Sequence, residues 1–104
     1  MRKGYVYLLR YELDDELFYK IGCSKDVEKR VKNLRASKYP KLKSISIEHS
    51  IEFLDKFDAE DFFHNYFARL RKDRGEFFDL SAEDVEWFKS LGKEDLFDLM
   101  YNFY

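Results

Sequence analysis

Glu76 follows Gly75 and precedes Phe77 and Phe78, which puts a carboxylate at the start of an aromatic extended segment. Burial there demands a cation, because an unpaired carboxylate is expensive to take out of water. Lys20 lies in the apolar run FYKIG and alternates with Tyr19 and Ile21. A lysine inside such a run needs a partner or a wet cleft. Arg30 stands one position before Val31, at the edge of an amphipathic helical stripe, and Tyr7 alternates with Val6 and Leu8. His64 is next to Phe63 in a second helical pattern. Singly, each has an ordinary structural role: a core tyrosine with a bonded hydroxyl, a helix-surface arginine, a hydrogen-bonded core histidine. Together they make a workable set for hydrolysing phosphodiesters. An arginine grips the scissile phosphate, a tyrosine or lysine helps deprotonate water, and a divalent ion on the carboxylate neutralises the leaving oxygen. A single glutamate suits Mg2+ or Mn2+, which keep most of their waters. Cys23, just past the turn glycine, reads as a small packing residue.

These side chains must be positioned by short elements. Residues 4–11 alternate Tyr5, Tyr7, Leu9 and Tyr11 against Val6, Leu8 and Arg10, a period of two that predicts a strand. Residues 17–22 resume a strand after the acidic connector 12–16, giving a hairpin. Asp26 is a good N-cap for a helix over 27–36, with Val27, Val31 and Leu34 facing inward. A third strand over 42–51 carries Ile45, Ile47, His49 and Ile51 at alternate positions. The longest helical pattern spans 53–71, and residues 75–80 (GEFFDL) form a short extended piece. Ser81 with Glu83 and Asp84 has the shape of a helix N-terminus, for a helix ending at Gly92. A last helix over 94–103 is apolar through Leu96, Phe97, Leu99, Met100 and Phe103. The order ββαβα(short β)αα predicts an α+β fold, a small antiparallel sheet with helices packed on it.

The chain has 104 residues, enough for one domain and one core. Its motif-bearing part covers about 4–80 and its C-terminal helices about 81–104. At 45% hydrophobic and 38% charged it is neither disordered nor membranous, and no apolar run approaches a membrane span. The opening residues lack a secretory pattern, and one cysteine cannot form an internal disulfide, so a cytoplasmic protein is expected. Net charge is −2, yet residues 20–43 hold 9 basic and 2 acidic side chains, while residues 76–104 hold 2 and 8. The basic block includes Lys20, Lys25, Lys29, Arg30, Lys32 and Arg35, the expected nucleic-acid contacts. A local block of this kind favours a polyanion at one surface, against the bland alternative of a solvated lysine-rich helix.

The ordered motifs resemble the GIY-YIG nuclease superfamily, particularly the branch in phage and small bacterial proteins with a KIG variant of the second motif. Tyr5-Val6-Tyr7 is similar to the first tripeptide and Lys20-Ile21-Gly22 to the second. Arg30, eight residues after Gly22, is similar to the family arginine. Asp61-Phe62-Phe63-His64 resembles an acidic-x-x-His element, and Gly75-Glu76-Phe77-Phe78 resembles the motif that supplies the metal-binding glutamate. Lys20 stands where many members have tyrosine, and an asparagine common on a later helix has no clear counterpart but the distant Asn102. The resemblance implies a three-stranded antiparallel sheet flanked by helices and metal-dependent cleavage of DNA phosphodiesters at a single site. It implies Tyr7 as base, Arg30 as phosphate clamp and Glu76 as ligand of one Mg2+ or Mn2+ ion. Lys20 and His64 would assist in proton transfer or phosphate contact.

Two other functions fit the residues. One is a catalytically degenerate module that keeps the fold and binds nucleic acid, a nucleotide or a host protein. The other makes the aromatic tail at Leu96, Phe97, Met100 and Phe103 a homodimer surface, unless it completes the core. A domain this small finds substrate through dimerisation, a protein partner or substrate shape.

Overall fold

The alternating stretch around Tyr7 becomes the centre of the fold. The computed structural model describes residues 2–37, 39–72 and 75–92. In it β1 (Gly4–Leu13) pairs antiparallel with β2 (Leu17–Ser24) on one side and β3 (Leu42–Phe53) on the other. Neighbours on both edges and packing on both faces bury its middle completely: Val6, Leu8 and Leu9 have no exposed surface. Each such side chain contributes roughly 1.5–3 kcal/mol through burial.

The sheet corrects one expectation. Three strands were expected, and there are four, in the order β3-β1-β2-β4. The fourth is β4 (Phe77–Phe78), which pairs antiparallel with Tyr19 and Lys20 on the outer edge of β2. Without it β2 would present a row of unpaired backbone groups. The pairing extends past the strand, because the Glu76 carbonyl accepts the Ile21 N–H at 3.0 Å. On its other side the segment is held by Lys72 N–H to the Phe77 carbonyl and Asp79 N–H to the Leu70 carbonyl. Two residues are too few for a hydrophobic period to show, so the backbone's need for partners decides the strand.

Helices cover both faces. On the first, α1 (Val27–Ala36) lays Val27, Val31 and Leu34 against Tyr7, Leu9, Tyr11, Phe18 and Ile45. The Asp26 carboxylate accepts the Lys29 N–H at 3.1 Å and starts this helix at the expected residue. On the second face, α2 (Lys56–Tyr66) and α3 (Ala82–Ser90) bury Ala59, Phe63, Val85 and Phe88 against Val6, Leu8, Ile21 and Ile51. Ser81 and Asp84 cap α3 reciprocally, as the sequence predicts.

Several boundaries and one pairing register differ from expectation, with β1, β2 and β3 running on to Leu13, Ser24 and Phe53. Helix α2 is shorter than the 53–71 pattern: Phe53 is still paired with Gly4, and Asp55 caps the helix only afterwards. After Tyr66 the chain tightens into a 3-10 turn, Ala68–Leu70. In β3 the pairing slips between Leu8, opposite His49, and Leu9, opposite Ile47, which leaves Glu48 as an extra residue. This bulge moves Ile45 and Ile51 to opposite cores and leaves Ile47 39% exposed, so strict alternation fails there. The last expected helix, 94–103, lies outside the described residues, as do Asn102 and the aromatic tail proposed as a dimer surface. Among the described residues no helix is long and apolar enough to cross a membrane.

Candidate active site

Tyr7 on β1 lies opposite Gly22 on β2, and its ring crosses the backbone there. A Cβ on Gly22 would come within 2.3 Å of the tyrosine oxygen and 2.6 Å of Cζ. Glycine at this position is thus a requirement of the ring's placement. The ring is buried at 1% exposure, and burial raises the hydroxyl pKa above its ordinary value. Arg30 acts in the opposite direction: its guanidinium, coming from α1, faces the Tyr7 hydroxyl and favours its ionised form, and the hydroxyl in turn raises the arginine pKa. Val31, 1% exposed, anchors the helix beneath Arg30, which itself faces solvent.

Lys20 finds the partner its setting demands. It is 6% exposed, and its ammonium donates to Glu76 Oε2 at 2.7 Å. The same ammonium lies 4.7 Å from the centroid of Phe77. Phe77 belongs to a ring cluster with Tyr11, Phe18 and Tyr39, at centroid separations from 5.1 to 6.1 Å. Alternation along β2 puts Lys20 on the α1 face and Ile21 on the α2 face. Glu76, just ahead of β4 at the rim, reaches both sides.

His64 approaches from α2. Its Nε2 is 2.8 Å from the Ile21 carbonyl, a partner that can only accept, so Nε2 carries the proton and Nδ1 the lone pair. Ile21 therefore uses its N–H to hold Glu76 and its carbonyl to hold His64. An Arg71 terminal nitrogen is 3.4 Å from Nδ1, while Arg71 Nε donates to the Gly75 carbonyl at 2.7 Å. The histidine is both a bonded structural residue and a member of the site.

One residue that the sequence does not single out joins them. Glu60, one helical turn before His64, brings a carboxylate oxygen close to a ring nitrogen of His64 and a carboxylate oxygen of Glu76, with one ligand atom of each within 4.8 Å of the others. Burial raises the Glu60 carboxyl pKa and the Glu76 charge adds to this, while the Cys23 thiol beside it works the other way. Asp61, the acidic residue of the expected motif, is exposed instead. Both Glu60 and Asp61 are helical neighbours of His64 by spacing, so only the docking of α2 decides that Glu60 turns to the site and Asp61 to solvent.

The remaining expectations separate. Lys25, Lys29 and Lys32 are exposed on and before α1. Arg35 is committed to the fold, donating to the Ile45 carbonyl at 2.7 and 3.2 Å and so tying α1 to β3. Cys23 is half-buried, and burial with the neighbouring Glu60 pushes its thiol up to about 12. It should therefore stay protonated and inert: at pH 8 we expect iodoacetamide to label it at least about 100-fold more slowly in the native protein than in urea. Equal rates in the two states would contradict this environment.

The fold and this corner define a class: a small α+β domain with a polar site at the rim of a four-stranded sheet. Within that class the chain belongs to the T5orf172 domain family, whose model matches residues 4–91. It is also similar to "Uncharacterized protein 460R" of Invertebrate iridescent virus 6, at 31% identity over 87 residues. That match takes in 83% of this chain and 39% of the viral protein, so the chain spans well under half of that relative. No solved structure matches significantly.

Proposed function

We propose that the protein is a metal-dependent endonuclease of the GIY-YIG type that hydrolyses DNA phosphodiester bonds. The supporting observation is convergence: Tyr7 and Lys20 from two strands, Arg30 from α1 and Glu76 from just ahead of β4 meet at one corner of the sheet, joined by the Tyr7–Arg30 and Lys20–Glu76 contacts. In this reading Arg30 binds the scissile phosphate. Tyr7 takes the water proton as its phenolate; burial favours the neutral phenol, and the adjacent guanidinium offsets this by favouring the ionised form. Lys20 orients the Glu76 carboxylate and adds positive charge beside the phosphate. Glu76 would hold a single divalent ion, Mg2+ or Mn2+, which would supply charge stabilisation for the leaving group. The exposed Lys25, Lys29 and Lys32 contact flanking phosphates, which makes binding weaken steeply as salt rises. A homodimer or protein partner would provide targeting.

The test is cleavage of labelled single-stranded, duplex and branched DNA with Mn2+ at low salt. The parent should cut at least one substrate, and Arg30→Ala should cut it about 10²–10³-fold more slowly. No cleavage by well-folded parent protein would end the proposal. It would favour a second reading, a domain that binds nucleic acid, a nucleotide or a host protein without turnover. The close Lys20–Glu76 pair supports that alternative, since it already neutralises the carboxylate. Binding that survives Glu76→Ala would be its signature.

A further inference from the structure

We infer that Glu60, His64 and Glu76 form a three-ligand site that takes one divalent transition ion of the manganese class in the free protein, before any nucleic acid binds. The inference rests on the endonuclease reading for the purpose of the ion, but not for its binding. A lone glutamate holds an ion weakly, and in such sites substrate phosphates and water complete the coordination shell. Three protein ligands remove that dependence.

The geometry supports the set. Glu60 and His64 project from adjacent turns of α2, and Glu76 crosses from the rim of the sheet. Bonds of about 2.1 Å to an octahedral ion place its ligand atoms roughly 3 to 4 Å apart. The separations here stay within 4.8 Å, so small side-chain rotations close the set. Among the described residues no other group of three histidine, cysteine or carboxylate side chains comes so close.

Two of the three ligands are already oriented by a neighbour. The Ile21 carbonyl takes the Nε2 proton of His64, the usual arrangement for a histidine that offers its other nitrogen to a metal. Lys20 engages Oε2 of Glu76. The group nearest the vacant lone pair is Arg71, whose 3.4 Å contact with Nδ1 is long for a hydrogen bond. Because its Nε stays anchored on the Gly75 carbonyl, the terminal nitrogen can withdraw as an ion enters. Two carboxylates side by side are relieved by a proton or a cation between them, and Lys20 reaches only Glu76.

The donor set selects the metal. Carboxylates suit Mg2+, Ca2+ and Mn2+ alike, but an imidazole favours the transition ions, and affinity for mixed nitrogen and oxygen sites rises along the first row from manganese. Mg2+ also demands near-ideal octahedral geometry and sheds water reluctantly.

The probe is Mn2+ itself, titrated into DNA-free protein and followed by loss of the free-ion electron paramagnetic resonance signal. The parent should bind one ion, and Mg2+ should displace it only at an excess of about 100-fold or more. Glu60→Gln and His64→Asn should each weaken binding at least about tenfold, since even partners outside the coordination shell cost that much. Thermal unfolding of each variant, with and without Mn2+, separates lost binding from lost fold. Retained Mn2+ stabilisation in both variants, with loss only in Glu76→Gln, would overturn the three-ligand site, as would no binding by folded parent. The two proposals fail separately. DNA cleavage with binding through Glu76 alone defeats this inference, whereas three-ligand binding without cleavage of any DNA defeats only the endonuclease reading.

Discussion

A Glu76→Gln variant should lose about 10³-fold of the DNA cleavage rate while retaining the fold. Glutamine keeps the shape, so the carbonyl that accepts the Ile21 N–H and starts β4 stays in place. The charge is what disappears, and with it the group proposed to hold the ion at the leaving oxygen; removing one preorganised charge-stabilising contact already reaches 10²–10³ in rate. Stability should fall too, because Lys20 is left buried opposite an uncharged amide. Losing one partner of a fully buried pair costs about 3–5 kcal/mol. Glu76 has 36% of its side chain in water, so about 1–2 kcal/mol is a better expectation here. Adding Lys20→Met removes the orphaned ammonium and should return most of that stability without returning activity. The paired measurement, chemical denaturation beside cleavage, distinguishes a chemical role from a structural one. A Glu76→Gln protein that cuts DNA at the parent's rate would remove the central residue of the proposed site.

The second large effect is expected at a residue with no side chain. In Gly22→Ala one methyl group must enter space occupied by the Tyr7 oxygen, Cζ and Cε1, the nearest at 2.3 Å. Neither strand can move aside easily, since β1 is paired on both edges and Tyr7 is packed among Leu9, Tyr11 and Val31. Overpacking of this kind costs about 1–3 kcal/mol. It also pushes the tyrosine oxygen off the Arg30 guanidinium, so cleavage should fall about 100-fold, the order expected when a catalytic group is misplaced by about an ångström. Combining Gly22→Ala with Tyr7→Phe removes the closest contact and should recover part of the stability, because the two positions touch and their effects do not add. Full additivity would mean that the ring does not lie across the glycine.

How far the sequence reached depends on the kind of signal each element carries. Helix α1 was legible because cap, apolar stripe and terminus all agree within ten residues, and its observed limits, Val27–Ala36, are the expected ones. The β1–β2 hairpin was legible for the same reason. For β4 the extended conformation was legible in GEFFDL but its place in the sheet was not, since only pairing with Tyr19 and Lys20 across the fold makes it a fourth strand. The bulge at Glu48 was equally hidden, because slippage is a property of two strands and period two is a property of one. Tyr7, Lys20, Arg30, His64 and Glu76 could be named because each is chemically conspicuous in its local setting. Glu60 is an ordinary helical glutamate until α2 docks on β2, and Arg35 looks like a basic surface residue until the Ile45 carbonyl claims it. What chemistry a side chain can perform is written locally; whether the fold has already engaged it is decided at a distance.

The two-residue strand also sets when the site can exist. Tyr7 and Glu76 are separated by most of the chain, and only the docking of Phe77 and Phe78 on β2 brings the carboxylate to the corner. Contacts of such long sequence separation form late, since the intervening loop must be closed before they return any energy. A chain emerging during synthesis, or one partly unfolded, can therefore hold a complete hairpin and a capped α1 and still lack the carboxylate of the proposed site. The sheet's rim works as a completion check: the proposed site is whole only when β4 is docked on β2.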